Sequence, residues 1–238
     1  MKATISLCLL PFCCLTMVYA QSVNGITGKR DTSFSNNSAY ISAIKKHPDI
    51  KLVKEMPSSK VAEFRNIIYC SSAERTLELD AFIPKKSKGR TPAVLVIHGG
   101  GWRSGDRSQH VPMAQRLAEA GYASFTASYS LSTFALYPAA IYDLKAALRW
   151  MRANADKYNL DTTKFAVAGF SAGGELAAFL GATEGNKKFE GTSCNLSRSS
   201  SVQAVIDIDG ILSFVHPESG EGDDSRGISA ATHWFGYA

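Results

Sequence analysis

From residue 92 onward, short unbroken apolar runs alternate with longer stripes of helical period. Pro92-Ala93-Val94-Leu95-Val96-Ile97 is apolar throughout, the pattern of a strand buried on both faces. Ser108 to Ala120 places Val111, Ala114, Leu117 and Ala118 on one side of a predicted helix, with Ser108 as N-cap and Gly121 as stop. Tyr122 to Ser128 predicts the next strand. Ala139 to Tyr158 predicts the longest helix, with Leu144, Leu148 and Met151 at helical spacing; its Asp143, Arg149 and Arg152 read as solvated or capping groups. Phe165 to Ala168 and Glu175 to Leu180 repeat strand and helix, and Val202 to Ile208 adds a strand. Upstream, Val61 to Cys70 and Leu77 to Ile83 predict an antiparallel hairpin. In its second run Leu77, Leu79, Ala81 and Ile83 point inward and polar or acidic residues outward until Pro84. This order predicts an α/β fold, a mostly parallel sheet with helices on both faces and a ligand site at the carboxyl ends of the strands.

Composition adds boundaries to that pattern. The 238 residues, 45% hydrophobic and 20% charged, suit one globular domain with a sizeable core. Residues 1–20 hold one charge, Lys2, then an apolar run from Ile5 to Val18, which predicts a signal peptide cleaved after Ala20. The run is short for a membrane anchor, and Pro11 and Phe12 are too large for a lipid-anchored Cys13 or Cys14. Residues 21–58 read as a polar N-terminal linker or extension, and 59–238 as the folded domain. Three of the five cysteines leave with the signal peptide; Cys70 and Cys194 either pair or stay as two buried thiols. The formal charge of +5 is scattered, so Lys85 to Arg90 reads as a solvated loop and no nucleic-acid partner is expected. No zinc-like cysteine spacing or P-loop occurs, and the acidic run around Asp223 does not match a calcium loop, so no metal or cofactor is expected.

Two glycine-rich stretches carry the chemistry, and both fall at predicted strand ends. Gly169-Phe170-Ser171-Ala172-Gly173 stands between a strand and a helix. A strand turning straight into a helix crowds the backbone, and glycines two residues either side of the serine remove the colliding Cβ atoms. Ser171 is then held exposed, with the Ala172 N–H facing the oxygen that becomes negative on attack. His98-Gly99-Gly100-Gly101-Trp102 follows the apolar strand, and three glycines there let backbone N–H groups line a cleft. His98 reads as a structural residue holding this loop, and Trp102 as one that lines the pocket or packs the loop.

Taken together, His98–Trp102 and Gly169–Gly174, with the Asp143–Arg152 helix and the Val202–Val205 strand, resemble the α/β-hydrolase fold. More narrowly they resemble its esterase/lipase branch with an HGGG-type oxyanion loop, and within it bacterial carbohydrate esterases related to acetyl-xylan and feruloyl esterases. The likeness covers roughly residues 60–215. It implies a three-layer sandwich and a serine carboxylic-ester hydrolase, with Ser171 as nucleophile and the N–H groups of Gly100, Gly101 and Ala172 as oxyanion hole. With the signal peptide, it implies a secreted or periplasmic enzyme whose partners are acylated oligo- or polysaccharides, in xylan degradation for instance, with no membrane contact after cleavage. In such enzymes the acid and base follow the serine, on loops after two further strands. The chain is therefore expected to be a fragment that lacks its last strands and two triad residues and is nearly inert. Within the chain, Asp209 is the alternative acid and His216 or His233 the alternative base. A non-catalytic carbohydrate-binding protein on this scaffold, or a serine peptidase of the same fold, are the other readings. The oligomeric state stays open.

Overall fold

The computed structural model describes residues 25–72, 75–219, 222–225 and 227–236. The expected signal peptide and its cleavage after Ala20 lie outside the described residues. Strands β1 (Val61–Ser71), β2 (Thr76–Pro84), β3 (Thr91–Ile97), β4 (Ala123–Ala127), β5 (Leu160–Phe170) and β6 (Ala204–Ile208) form one sheet in the order β1-β2-β4-β3-β5-β6. β1, β2 and β4 pair antiparallel, and β4, β3, β5 and β6 run parallel, so the predicted hairpin leads into the predicted parallel sheet.

Among the described residues, five α-helices accompany the strands: α1 (Asn36–Ala43), α2 (Val111–Glu119), α3 (Ala139–Ala153), α4 (Ala172–Ala182) and α5 (Ala230–Phe235). Side-chain alternation assigns the layers. Leu95, Ile97, Phe165 and Val167 join Leu144, Leu148 and Leu176 in the main core under α3 and α4. Their strand neighbours Val94, Val96 and Ala168 face the other way, against Met113 and Leu117 of α2. The result is the expected three-layer arrangement.

Several expectations need correction. Asp80 does not point to solvent; it is 4% exposed and ion-pairs with Arg107 at 3.2 Å, because α2 and its leading turn cover that face of β2. Arg149 is likewise buried, and Asp143 is half-buried. The Arg149 guanidinium donates to the Cys194, Glu190 and Ser193 carbonyls, and Asp143 accepts from the Ser130 N–H at 2.8 Å. The helix of residues 111–119 is preceded by a 3-10 turn over Arg107–His110 whose N-cap is Asp106 rather than Ser108. Between the two options left open for the cysteines, the structure holds the pair: Cys70 and Cys194 form a disulfide across 124 residues of sequence. The polar stretch before β1 holds α1 and lies along the segment after the glycine loop. β6 is the outer strand of the sheet and exposes Val205, Ile206 and Ile208.

Candidate active site

The site begins with a backbone collision that only glycine avoids. A Cβ on Gly169 would run into the Gly173 carbonyl, and a Cβ on Gly173 would meet the carbonyl oxygens of Ile97 and His98. Those absences let α4 start directly at the end of β5, and the turn residue Ser171 takes φ 54°, ψ −125°. A serine in that region is strained, and it is held by three hydrogen bonds. Its N–H donates to the Ile208 carbonyl at 2.9 Å, and its own carbonyl accepts from Gly174 and Glu175. Ser171 is exposed while Ala172 through Ala177 are buried, so the hydroxyl is presented at the N-terminal end of α4.

Opposite it stands the loop after β3. Gly100 has φ 118°, and its carbonyl turns away to accept the N–H groups of Arg103 and Ser104 and the Ser104 hydroxyl. The N–H groups of Gly100 and Gly101 take no part in that hydrogen bonding among the described residues. One cavity of about 390 Å³ is walled by Gly99, Gly100, Gly101, Ser171 and Ala172, with Trp102 behind them. The predicted nucleophile and all three predicted oxyanion donors therefore share one space.

The loop is braced from behind. His98 is 2% exposed, donates from Nδ1 to the Gly99 carbonyl at 2.8 Å, and stacks on Tyr129, whose hydroxyl donates to the His98 carbonyl. Burial lowers its pKa to about 4, which keeps the ring neutral. Trp102 is fully buried and stacks on Trp234 at 4.9 Å; its indole N–H donates to Glu175 Oε2 at 3.1 Å. That bond ties the glycine loop to the elbow helix. Burial, with the Asp207 carboxylate adding to it, lifts Glu175 to about 7 despite the opposing Trp102 hydrogen bond.

Among the described residues, no hydrogen bond joins the alternative acid or base to Ser171, although Asp209 follows Ile208, whose carbonyl holds the Ser171 N–H. Asp209 is exposed at φ 60°, and His216 is exposed, its Nδ1 accepting from the Glu218 N–H. His233 sits on α5 beside Gly25 and feels the charges of Arg103, Asp224 and Asp31. The histidine that does line the Ser171 cavity is His110, which the sequence does not single out. Its ring stacks on Phe170 at 4.3 Å, and burial lowers its pKa to about 4. No hydrogen bond joins it to the serine or to a carboxylate among the described residues, so it has neither half of a triad contact.

A strained serine between a parallel strand and a helix, facing a glycine loop at the carboxyl edge of the sheet, defines an α/β-hydrolase. The chain belongs to the BD-FAE family, whose model matches residues 79–238. It is 36% identical to Esterase LipC of Mycobacterium tuberculosis over half of this chain and 30% of LipC, and 30% identical to an arylesterase of Saccharolobus solfataricus over 53% of this chain and 41% of that protein. Among solved structures it is similar to a truncated carbohydrate esterase from gut microbiota, with TM-score 0.62, 33% identity, and 68% of this chain and 62% of that one covered. A bifunctional GH43-CE protein of Bacteroides eggerthii gives TM-score 0.63 and 27% identity over 73% of this chain and 24% of that one. The chain thus spans less than half the length of these curated relatives. Among the described residues, no helix is long and apolar enough to cross a membrane.

Proposed function

We propose that this protein is an exported serine hydrolase of carboxylic esters on O-acylated carbohydrate, acting through an acyl-enzyme on Ser171. The observation that carries the reading is the Ser171 backbone, strained and exposed, across one cavity from the N–H groups of Gly100, Gly101 and Ala172. The Ser171 oxygen attacks the ester carbonyl carbon as its proton passes to a base. The tetrahedral oxyanion is held by those N–H groups, the bond to the sugar oxygen breaks as that oxygen takes up the proton, and water then releases the acid in the reverse sense. Each backbone donor of this kind is worth about 10²–10³ in rate.

The carbohydrate part of the reading is supported by the structural neighbours named as carbohydrate esterases. Export is supported by the apolar leader and by the Cys70–Cys194 disulfide, a bond that persists in oxidising compartments. The five histidines are His47, His98, His110, His216 and His233, and among the described residues no hydrogen bond joins any of them to the Ser171 hydroxyl. We take the acid and base of the reaction to be supplied by residues other than those described.

Hydrolysis of p-nitrophenyl acetate, with and without added imidazole, tests this. Imidazole supplies a diffusible base, so turnover should rise with its concentration, above the rate of imidazole alone, and vanish in Ser171→Ala. Turnover indifferent to Ser171→Ala would overturn the assignment.

A further inference from the structure

The stretch before β1 does not trail free of the site. Arg103 donates to Asp31 at 2.7 Å, the Asn36 amide donates to the Gln109 carbonyl at 2.9 Å, and the Met56 N–H donates to Gln115 Oε1 at 2.6 Å. All three partners belong to the run that leaves the glycine loop and becomes α2. Between the clasped segments lies a second cavity of about 580 Å³, walled mainly by apolar side chains, among them Ala39 and Tyr40 of α1, Ile50, Leu52 and Met113. Its volume falls in the range of about 300–1,000 Å³ typical of sites that enclose a small organic ligand.

This groove abuts the Ser171 cavity. Asn36, Gln109, His110 and Phe170 line both, and the stacked His110–Phe170 pair stands at the junction, Phe170 being the residue before Ser171. His110 Nε2 is buried there with no hydrogen-bond partner among the described residues, a cost that a bound polar atom would relieve.

We infer that the groove between the N-terminal segment and α2 receives the apolar acyl portion of the ester, a chain or ring larger than acetyl, while its carbonyl lies at Ser171. This rests on the ester-hydrolase reading and names the half of the substrate that the N-terminal segment selects. The groove does not suit the sugar half. Hydroxyl groups placed among Tyr40, Ile50, Leu52 and Met113 would lose water without gaining equivalent hydrogen bonds, whereas methylenes or a ring gain from the burial. The carbohydrate then faces the open side of the Ser171 cavity.

Binding of octanoate and acetate, measured calorimetrically, tests the groove without requiring turnover. Octanoate should bind at least about tenfold more tightly than acetate, in the parent chain and in Ser171→Ala alike. Ala39→Trp and Leu52→Trp fill the groove from two different points of the N-terminal segment, and each should weaken octanoate about tenfold while acetate affinity changes less. Circular dichroism reports whether each variant folds, and the comparison of the two acids in the parent chain decides even if both fail. The imidazole-dependent p-nitrophenyl acetate assay runs alongside. Octanoate bound no better than acetate, or unaffected in folded tryptophan variants, overturns the groove and leaves a Ser171-dependent acetate assay standing. Octanoate binding as expected, with acetate hydrolysis indifferent to Ser171→Ala, overturns the ester reading and the acyl assignment with it.

Discussion

His98 and His110 are held at about 4 by burial, and that makes the site sensitive to acid. In the unfolded chain both rings take up protons as pH falls through the ordinary value near 6.5, whereas in the folded protein they wait until about 4. Folding stability is therefore lost as pH drops across that window. Glu175 has the opposite sign. Raised to about 7, it binds a proton in the folded state where the unfolded carboxyl does not, so its contribution is lost as pH rises from about 4.5 to 7. Replacing His110 with phenylalanine keeps a ring against Phe170 and removes one acid-sensitive group. The fall in urea midpoint between pH 6.5 and 4.5 should shrink by the equivalent of roughly 2 kcal/mol. An unchanged fall would show that His110 is not held neutral by burial. Ser171 was legible because its motif is a local steric demand written in glycines. His110 and Glu175 were not, because each reads as one more residue at the start of a helix. Their meaning comes from Phe170, Trp102 and Asp207, which only the fold brings near.

The elbow and the N-terminal helix show opposite cases of what an element reveals in advance. The turn from β5 to α4 is dictated within a few residues, so the spacing of Gly169 and Gly173 is enough to predict it. The Gly173→Ala change should cost about 1–3 kcal/mol in urea unfolding, because its methyl group is driven against the backbone of Ile97 and His98 rather than against a side chain that can move. Gly89→Ala, with nothing near its Cβ, should stay within about 0.5 kcal/mol. Equal effects would contradict the steric account. In contrast, α1 has no buried residue and no apolar stripe of helical period. What places it is hydrogen bonding such as Asn36 to Gln109, 73 positions away, and no periodicity encodes a partner at that range. Asp80 and Arg149 were misread for a related reason. Charge implies solvent until Arg107 and the Glu190–Cys194 loop are seen to close over them.

At the scale of the molecule, the alternation of strands and helices carried the sheet, its parallel half and its layers. The Cys70–Cys194 closure was not readable from two isolated cysteines, yet it links β1 to the loop after α4, and in a chain-entropy view a closure of this length is worth about 4–5 kcal/mol. The glycine loop and the elbow come from β3 and β5, neighbours in the sheet although α2, β4 and α3 intervene in sequence. That adjacency is what converts two separate motifs into one cavity. Reaction with a fluorophosphonate probe, followed by intact mass and peptide mapping, addresses the resulting claim directly. The account predicts a single adduct on Ser171 that forms slowly in buffer, faster with imidazole, and not at all in Ser171→Ala. An adduct on another residue, or none even with imidazole present, would contradict it.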